Sequence, residues 1–158
     1  MKTIPNHIFF EEVEKLLLEE KKPVKITVQG TSMSPYFKSG IDYVIVSPPP
    51  AEILGNISRG DIVLFHIGDS VHLHRIIHYF GTLLEIRGDG CYGKYEKITA
   101  SDIIGIVTGG TYRGGRPFDA SSTSWKIRSY IWMKSYFIRH QLIRVKRVLR
   151  KTLSLFHK

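Results

Sequence analysis

Apolar and polar positions divide the chain into a helical start, a long β region and a helical end. Near the N-terminus, Phe9, Val13 and Leu17 recur on one helical face, with Asn6 placed to cap the first turn. Pro23 cannot continue a helix, so the first helix is predicted to end before it.

The middle of the chain consists of short runs rich in β-branched residues, separated by glycine-containing turns. This pattern predicts strands over residues 24–29, 42–47, 61–66, 71–77, 82–87 and 103–108. Many short strands with turns between them are typical of a small barrel or sandwich, so a mainly β fold is expected.

A stretch rich in Gly, Ser and Thr follows, and after it apolar residues recur at steps of three, four or seven. That spacing predicts an amphipathic helix, whose apolar stripe is Ile127, Ile131, Ile138, Leu142, Val145, Leu149 and Leu153. The expected organisation is therefore an N-terminal helix (1–23), a β domain (24–112), a linker (113–124) and a helical tail (125–158).

The positive charge of the chain is concentrated in this tail. Ten of the 23 Lys and Arg residues lie between 125 and 158, where no Asp or Glu occurs, and the net charge of the whole chain is +9. Basic residues interspersed with aromatics suit an anionic membrane surface. Packing of the stripe on the β domain, or binding of an acidic partner, are alternatives. Nucleic acid is the least favoured partner because the tail contains no recognised nucleic-acid-binding motif.

The cellular compartment of the protein is predicted from three features: a signal peptide, a spanning helix and the number of cysteines. Met1 to Phe10 has no apolar core of the length that a signal peptide needs. No run of about 18 apolar residues is present, so no spanning helix is predicted. A single cysteine, Cys91, fits a reducing environment. The expectation is a cytoplasmic protein, peripheral on the inner membrane face if the tail binds lipid.

Two short segments carry the candidate chemistry. Ser32 lies in the turn Gly30-Thr-Ser-Met-Ser-Pro35, and His74 lies in the later strand Val71-His-Leu-His-Arg-Ile-Ile77. A serine hydroxyl becomes a nucleophile only when a neighbouring base removes its proton. Histidine suits that role without tuning because its ordinary pKa is about 6.5.

Five blocks in order resemble the type I signal peptidase and LexA-type serine peptidase superfamily, over about Val24 to Thr108. They are Gly30-Thr-Ser-Met-Ser-Pro35, Arg59-Gly-Asp-Ile-Val-Leu-Phe65, Leu73-His-Arg-Ile76, Arg87-Gly-Asp89 and Ile104-Gly-Ile106. The resemblance implies a coiled, mostly antiparallel β fold.

The resemblance also implies roles for individual residues. The serine before Met, Ser32, would be the nucleophile, and His74, before an Arg, would be the base, as in the Ser/His branch. Backbone N–H groups around Gly30, Thr31 and Met33 would stabilise the oxyanion and bind substrate. Gly30 stands where some bacterial members carry a hydroxyl residue. No N-terminal membrane anchor of the usual kind is expected, which would be a second departure from the family pattern.

A third residue could orient His74. Asp89, in the Gly-Asp-Gly turn, matches the Gly-Asp motif of the family, and Asp102 is a weaker candidate. Asp89 could instead cap N–H groups of its own turn, and the two roles remain open.

The remaining candidate ligands and nucleophiles are weaker. His72 and His74 form a His-x-His pair that a third histidine, His66 or His78, could complete as a metal site. No carboxylate spacing fits a metal motif, so no metal or other cofactor is expected. Cys91 lies in a Gly-rich loop, and we interpret it as a free thiol.

The sequence therefore predicts a serine endopeptidase that cleaves an extended peptide with a Ser32/His74 dyad, in leader or signal processing at a membrane surface. The alternative is an inactive module of the same fold that binds a peptide or regulator and docks through its basic tail.

Overall fold

The computed structural model describes residues 6–142 and 145, and the protein is mainly β. The helices are α1 (Asn6–Leu18), α2 (Ile53–Asn56) and α3 (Thr123–Lys134), with a 3-10 turn at Ala100–Asp102. The strands are β1 (Val24–Thr27), β2 (Tyr43–Ser47), β3 (Ile62–Ile67), β4 (Ser70–Phe80), β5 (Leu83–Arg87), β6 (Glu96–Thr99), β7 (Ile103–Tyr112) and β8 (Arg116–Asp119).

All strands join in one antiparallel sheet in the order β1-β2-β7-β3-β4-β5-β6, with β8 paired to β7. The mainly β class predicted from the sequence is confirmed. The register shifts within three strand pairs, β2–β7, β3–β7 and β4–β5. Such irregularities increase the local bend and twist of the sheet.

The core divides into two clusters on the two faces of the sheet. One contains α1, β1, β2, the turn after β1 and α3, with Leu17, Met33 and Phe37 among its buried members. The other lies under β3 to β6, around Phe65 and Ile86. Burial of apolar surface on both faces fixes the strands that carry the candidate site.

Helix α1 follows its sequence pattern, because Val13 and Leu17 are buried in the first cluster while Ile8 remains exposed. It ends at Leu18, before Pro23, and Lys21 adopts a positive φ of 53° in the connection to β1. A hydrogen-bond-length contact between Glu14 and His66 (3.1 Å) joins α1 to β3.

Two strands were missed by the sequence pattern. Strand β6 is only four residues long, and β8 lies inside the stretch expected to be a linker. Beyond β8, Ser122 caps α3 by accepting a hydrogen bond from the Trp125 N–H (3.3 Å). Residues 116–119 are therefore part of the sheet.

The tail helix packs through its aromatic residues. Trp125 and Trp132 are buried, and Trp125 stacks on Phe118 with ring centroids 3.8 Å apart. Trp132 lies 4.9 Å from Tyr36. The expected apolar stripe faces outward instead: Ile127, Ile131, Ile138, Leu142 and Val145 are all exposed. Leu149 and Leu153, which were also assigned to the stripe, lie outside the described residues.

Candidate active site

Ser32 lies in a turn that the core holds in place. The turn follows β1, and Gly30 enters it with φ of +78°, a conformation that favours glycine. Met33, only 1% exposed, and Phe37 anchor it in the first core cluster. Ser32 itself stays partly accessible. Its neighbours therefore fix the backbone while part of Ser32 remains exposed to solvent.

A second loop packs directly on this turn. The Gly90 N–H donates to the Ser32 carbonyl at 2.8 Å. A Cβ at Gly90 would lie 2.6 Å from the Ser34 carbonyl oxygen and 2.7 Å from that of Thr31. Glycine is therefore required here by the close approach of two backbones.

Gly88 lies where the turn, the loop and His74 converge. A Cβ at this position would be 2.5 Å from the Ser32 carbonyl oxygen and 2.9 Å from each of Cys91 Sγ and His74 Nε2. The missing side chain of Gly88 thus makes room for the two residues that the sequence pairs as nucleophile and base.

His74 is held by a carboxylate. It projects from β4 and is 3% exposed, and its Nδ1 lies 2.9 Å from Oε2 of Glu96. The sheet register explains the encounter: Ile86 of β5 pairs with Ile76 on one side and with Glu96 on the other. Glu96 is consequently placed across β5 from the segment of β4 that contains His74.

This contact selects the form of the imidazole. Donation of Nδ1–H to Glu96 leaves the lone pair on Nε2, and Nε2 has no hydrogen-bond partner within the described residues. Burial, the largest influence, lowers the pKa of His74 below its ordinary value, although Glu96 opposes the shift. A neutral imidazole with a free Nε2 is a competent proton acceptor.

Ser32 Oγ and His74 Nε2 do not form a hydrogen bond in this structure, since Nε2 is unpartnered. The two residues are nevertheless brought to the same place, around Gly88. Catalytic hydrogen bonds are often long before substrate binds and shorten in the complex.

Asp89 makes no hydrogen bond to His74. It pairs with Arg75, which is fully buried, through two hydrogen bonds of 2.9 and 2.7 Å. Arg75 also donates to the Gly60 carbonyl and to Ser129 of α3, both at 2.9 Å. Through Arg75, Asp89 therefore connects the glycine loop, residues 88–90, to β4 and α3. It does not cap its own turn. A bidentate Arg–carboxylate pair satisfies both buried charges.

Asp102 is also removed from His74. Its Oδ2 accepts hydrogen bonds from the N–H and the hydroxyl of Thr99, at 2.7 and 2.8 Å, and caps the 3-10 turn. Glu96 lies at the Nδ1 side of His74, a position for which Asp89 and Asp102 are the candidates from sequence. Only aspartates, in the Gly-Asp motif or beyond it, are candidates there, although a glutamate stands seven residues after Asp89.

The expected oxyanion donors differ in availability. The Gly30 N–H donates to Ser39 Oγ at 3.1 Å, so it is already engaged. Thr31 is exposed and accepts from the Ser34 N–H at 3.0 Å. Within the described part of the chain, the N–H groups of Thr31, Ser32 and Met33 donate to no protein acceptor. These three are the free donors near the hydroxyl.

Cys91 lies near the same atoms. Its Sγ is 3.9 Å from the Ser32 carbonyl oxygen. Burial is the main cause that raises the pKa of its thiol, so the thiolate is scarce at neutral pH. Ser32 rather than Cys91 is the better candidate nucleophile.

The histidines do not assemble into a metal site. The rings of His72 and His74 are 5.8 Å apart, while His66 contacts Glu14 and His78 lies beside Phe80. Among residues 6–142 and 145, no three His, Cys, Asp or Glu side chains are arranged to hold a metal ion.

The segment that follows α3 contacts residues next to the site. Tyr136 accepts a hydrogen bond from the Gly93 N–H at 2.8 Å, and its ring lies 3.5 Å from the Arg87 guanidinium. Tyr136 also stacks with Tyr92 and His140. None of the described helices is long and apolar enough to cross a membrane.

Comparison of the chain with protein-family models, with curated proteins and with solved structures found no match.

Proposed function

We propose that the protein is a serine endopeptidase of the signal-peptidase and LexA type, with Ser32 as nucleophile, His74 as base and Glu96 as the residue that orients His74. The observation that carries the proposal is the buried imidazole that contacts Glu96 through Nδ1 and presents a free Nε2 toward the Ser32 turn. A Ser-His-carboxylate set is recognised by such geometry rather than by residue order.

The reaction follows from these positions. Ser32 Oγ forms a bond to the carbonyl carbon of an extended peptide, and its proton passes to Nε2 of His74. The Glu96 carboxylate stabilises the imidazolium, while the N–H groups of Ser32 and Met33 stabilise the oxyanion. The C–N bond breaks as His74 protonates the leaving amine. Water, deprotonated by His74, then hydrolyses the acyl-enzyme and releases Ser32.

A movement must precede the first step, because Ser32 Oγ and Nε2 are not hydrogen-bonded in the free protein. Rotation about χ1 of Ser32 is one such movement, since staggered rotamers place the hydroxyl in different directions on an unchanged backbone.

Cleavage of a peptide library tests the proposal. The wild-type chain should cut a subset of peptides, and Ser32→Ala should abolish the cuts. Ser34→Ala is the matched control, since it removes a partly buried hydroxyl from the same turn and should retain activity. Equal cleavage by wild type and Ser32→Ala would refute the assignment.

The missing Ser32–His74 hydrogen bond also favours a second candidate, an inactive module of this fold that binds peptides. It predicts that library peptides bind to wild type and to Ser32→Ala with equal affinity and that neither protein cuts them. Mass spectrometry of the peptides after prolonged incubation separates the two functions.

We further propose that the tail places the enzyme on an anionic membrane, at the cytoplasmic face. The outward stripe of α3 and residues 136–142 is apolar, with Lys126, Arg128 and Lys134 exposed on the same helix. The sequence contains no acidic residue after Asp119. A second copy on this surface would bring like charges together, whereas anionic lipid would neutralise them. Nucleic acid remains the least favoured partner.

A further inference from the structure

A cavity of about 240 Å³ opens beside Ser32, between α1 and the sheet. Its floor consists of core side chains, among them Met33, Val44 and Leu64, all buried. Val71 to Leu73 of β4 form one wall, and residues 26–29, at the end of β1, form the other. Ser32 itself lines the cavity, so a group bound there would lie next to the candidate nucleophile.

Helix α1 supplies the remaining wall. Phe9 and Phe10 line the cavity, with their rings 5.2 Å apart in an edge-to-face arrangement. The helix is fixed by Val13 and Leu17 in the core, so its aromatic residues are held against the sheet. The wall therefore belongs to a helix that is anchored in the core from Val13 onward.

The lining selects for apolar groups. It contains no Asp, Glu, Lys or Arg, and its polar members are Thr27, Gln29, Ser32 and His72. A charged side chain would lose its hydration there without gaining a charged partner, which is strongly unfavourable. An apolar cavity of about 150 Å³ is large enough to bind benzene. A cavity of about 240 Å³ therefore has room for Leu, Met or Phe.

An extended peptide can reach the cavity along β1. This strand is at the end of the sheet order, paired only with β2 within the described chain. A peptide that adds to such an edge gains main-chain hydrogen bonds and directs alternate side chains into pockets. The edge leads directly into the Ser32 turn.

We propose that this cavity binds a bulky apolar side chain, Leu, Met or Phe, of the substrate residue whose carbonyl Ser32 attacks. The inference rests on the proposed peptidase function and adds its substrate class. Phe10 of α1 is assigned as a specificity-determining residue, because it lines the cavity together with Val71 and His72 of β4.

The test uses peptides that differ only at the residue preceding the cut bond. Wild type should cleave the Leu or Phe peptide with a kcat/KM at least roughly ten-fold above that of the Ala peptide. It should reject Asp and Lys. Phe10→Ala should reduce the Leu-to-Ala ratio, and Leu73→Trp, which fills the cavity, should reverse it. Phe80→Ala, an exposed aromatic on β4, should leave the ratio unchanged.

Binding of the same peptides to Ser32→Ala, followed by fluorescence anisotropy, gives a readout that needs no turnover. The Leu peptide should bind more tightly than the Ala peptide, and adding Phe10→Ala should remove the difference. Cleavage that is lost in Ser32→Ala but shows a preference for Ala or a charged residue would overturn the pocket assignment alone. Cleavage that persists in Ser32→Ala would overturn both proposals.

Discussion

Nδ1 of His74 lies 2.9 Å from Oε2 of Glu96 across strand β5, and this contact leaves Nε2 facing the Ser32 turn. A carboxylate at Nδ1 fixes the tautomer of the imidazole and stabilises the imidazolium when it forms. The three residues come from the turn after β1, from β4 and from β6, so only the folded sheet assembles them.

Glu96→Gln should reduce kcat/KM on a cleaved peptide by roughly 10²-fold, within the range that a positioned base contributes. Gln is similar in size but cannot stabilise the imidazolium by charge. Glu85→Gln on β5 is the matched control, because this partly buried Glu makes only a 3.9 Å contact with Lys97. Equal kinetics for Glu96→Gln and Glu85→Gln would exclude the role of Glu96.

The pH profile of kcat/KM should rise from acid to neutral pH with an apparent pKa below the ordinary 6.5 of histidine, because burial lowers the pKa of His74. The base works when neutral, so activity is lost as pH falls through that pKa. Glu96→Gln should move the midpoint further toward acid, since Glu96 raises the pKa of His74. A midpoint above 6.5 would contradict this assignment.

Gly88→Ala should abolish cleavage, because the added methyl would lie 2.5 Å from the Ser32 carbonyl oxygen and 2.9 Å from His74 Nε2. Gly55→Ala is the control, since nothing lies within 4 Å of the corresponding position in α2. Circular dichroism should show that both variants retain the sheet. Full activity of a folded Gly88→Ala would show that His74 and Ser32 do not meet there.

Asp89→Asn should act on stability. It leaves buried Arg75 without its carboxylate, a change that typically costs roughly 3–5 kcal/mol. Urea unfolding measures the loss, and Asp119→Asn, on the exposed end of β8, should change little. At temperatures where Asp89→Asn remains folded, the midpoint of its pH profile should move toward acid by less than that of Glu96→Gln, because the charge of Asp89 raises the pKa of His74 less than Glu96 does. A shift as large as in Glu96→Gln would make Asp89 an orienting residue.

Membrane binding should depend on the outward stripe of the tail. Phe137→Glu should reduce sedimentation with vesicles that contain phosphatidylglycerol or phosphatidylserine, and wild type should bind neutral vesicles weakly. Phe80→Glu is matched in exposure, 62% against 68%, but lies at the end of β4. Equal losses in both variants, or a change in oligomeric state with Phe137→Glu alone, would argue against lipid as the occupant.

Local pattern was sufficient for most of the fold. Runs of β-branched residues located β1 to β5 and β7, and β3, β4 and β7 are each buried over three or more consecutive residues. Strand β6 was not predicted because its four residues, Glu96 to Thr99, are too few to show an alternating or β-branched pattern. Strand β8 was not predicted because its sequence, Arg-Pro-Phe-Asp, resembles a turn. Its extended conformation depends on pairing with β7.

The site was predictable only in part. Ser32 and His74 were selected from motif order, and the structure brings both to Gly88. The sequence could not pair Glu96 with His74. Their contact depends on the registers in which β4 and β6 pair with the two sides of β5. The sequence left two roles open for Asp89 and did not indicate its pairing with Arg75, which is adjacent to His74 in the chain but is fully buried.

The most direct test of the central claim is covalent labelling with a serine-directed acylating probe, followed by peptide mapping. Wild type should carry one adduct, on Ser32, and His74→Ala should slow its formation by roughly 10²–10⁴-fold, as expected for loss of a general base. Ser34→Ala should be labelled like wild type. An adduct that persists in Ser32→Ala, or one that forms equally fast in His74→Ala, would contradict the account.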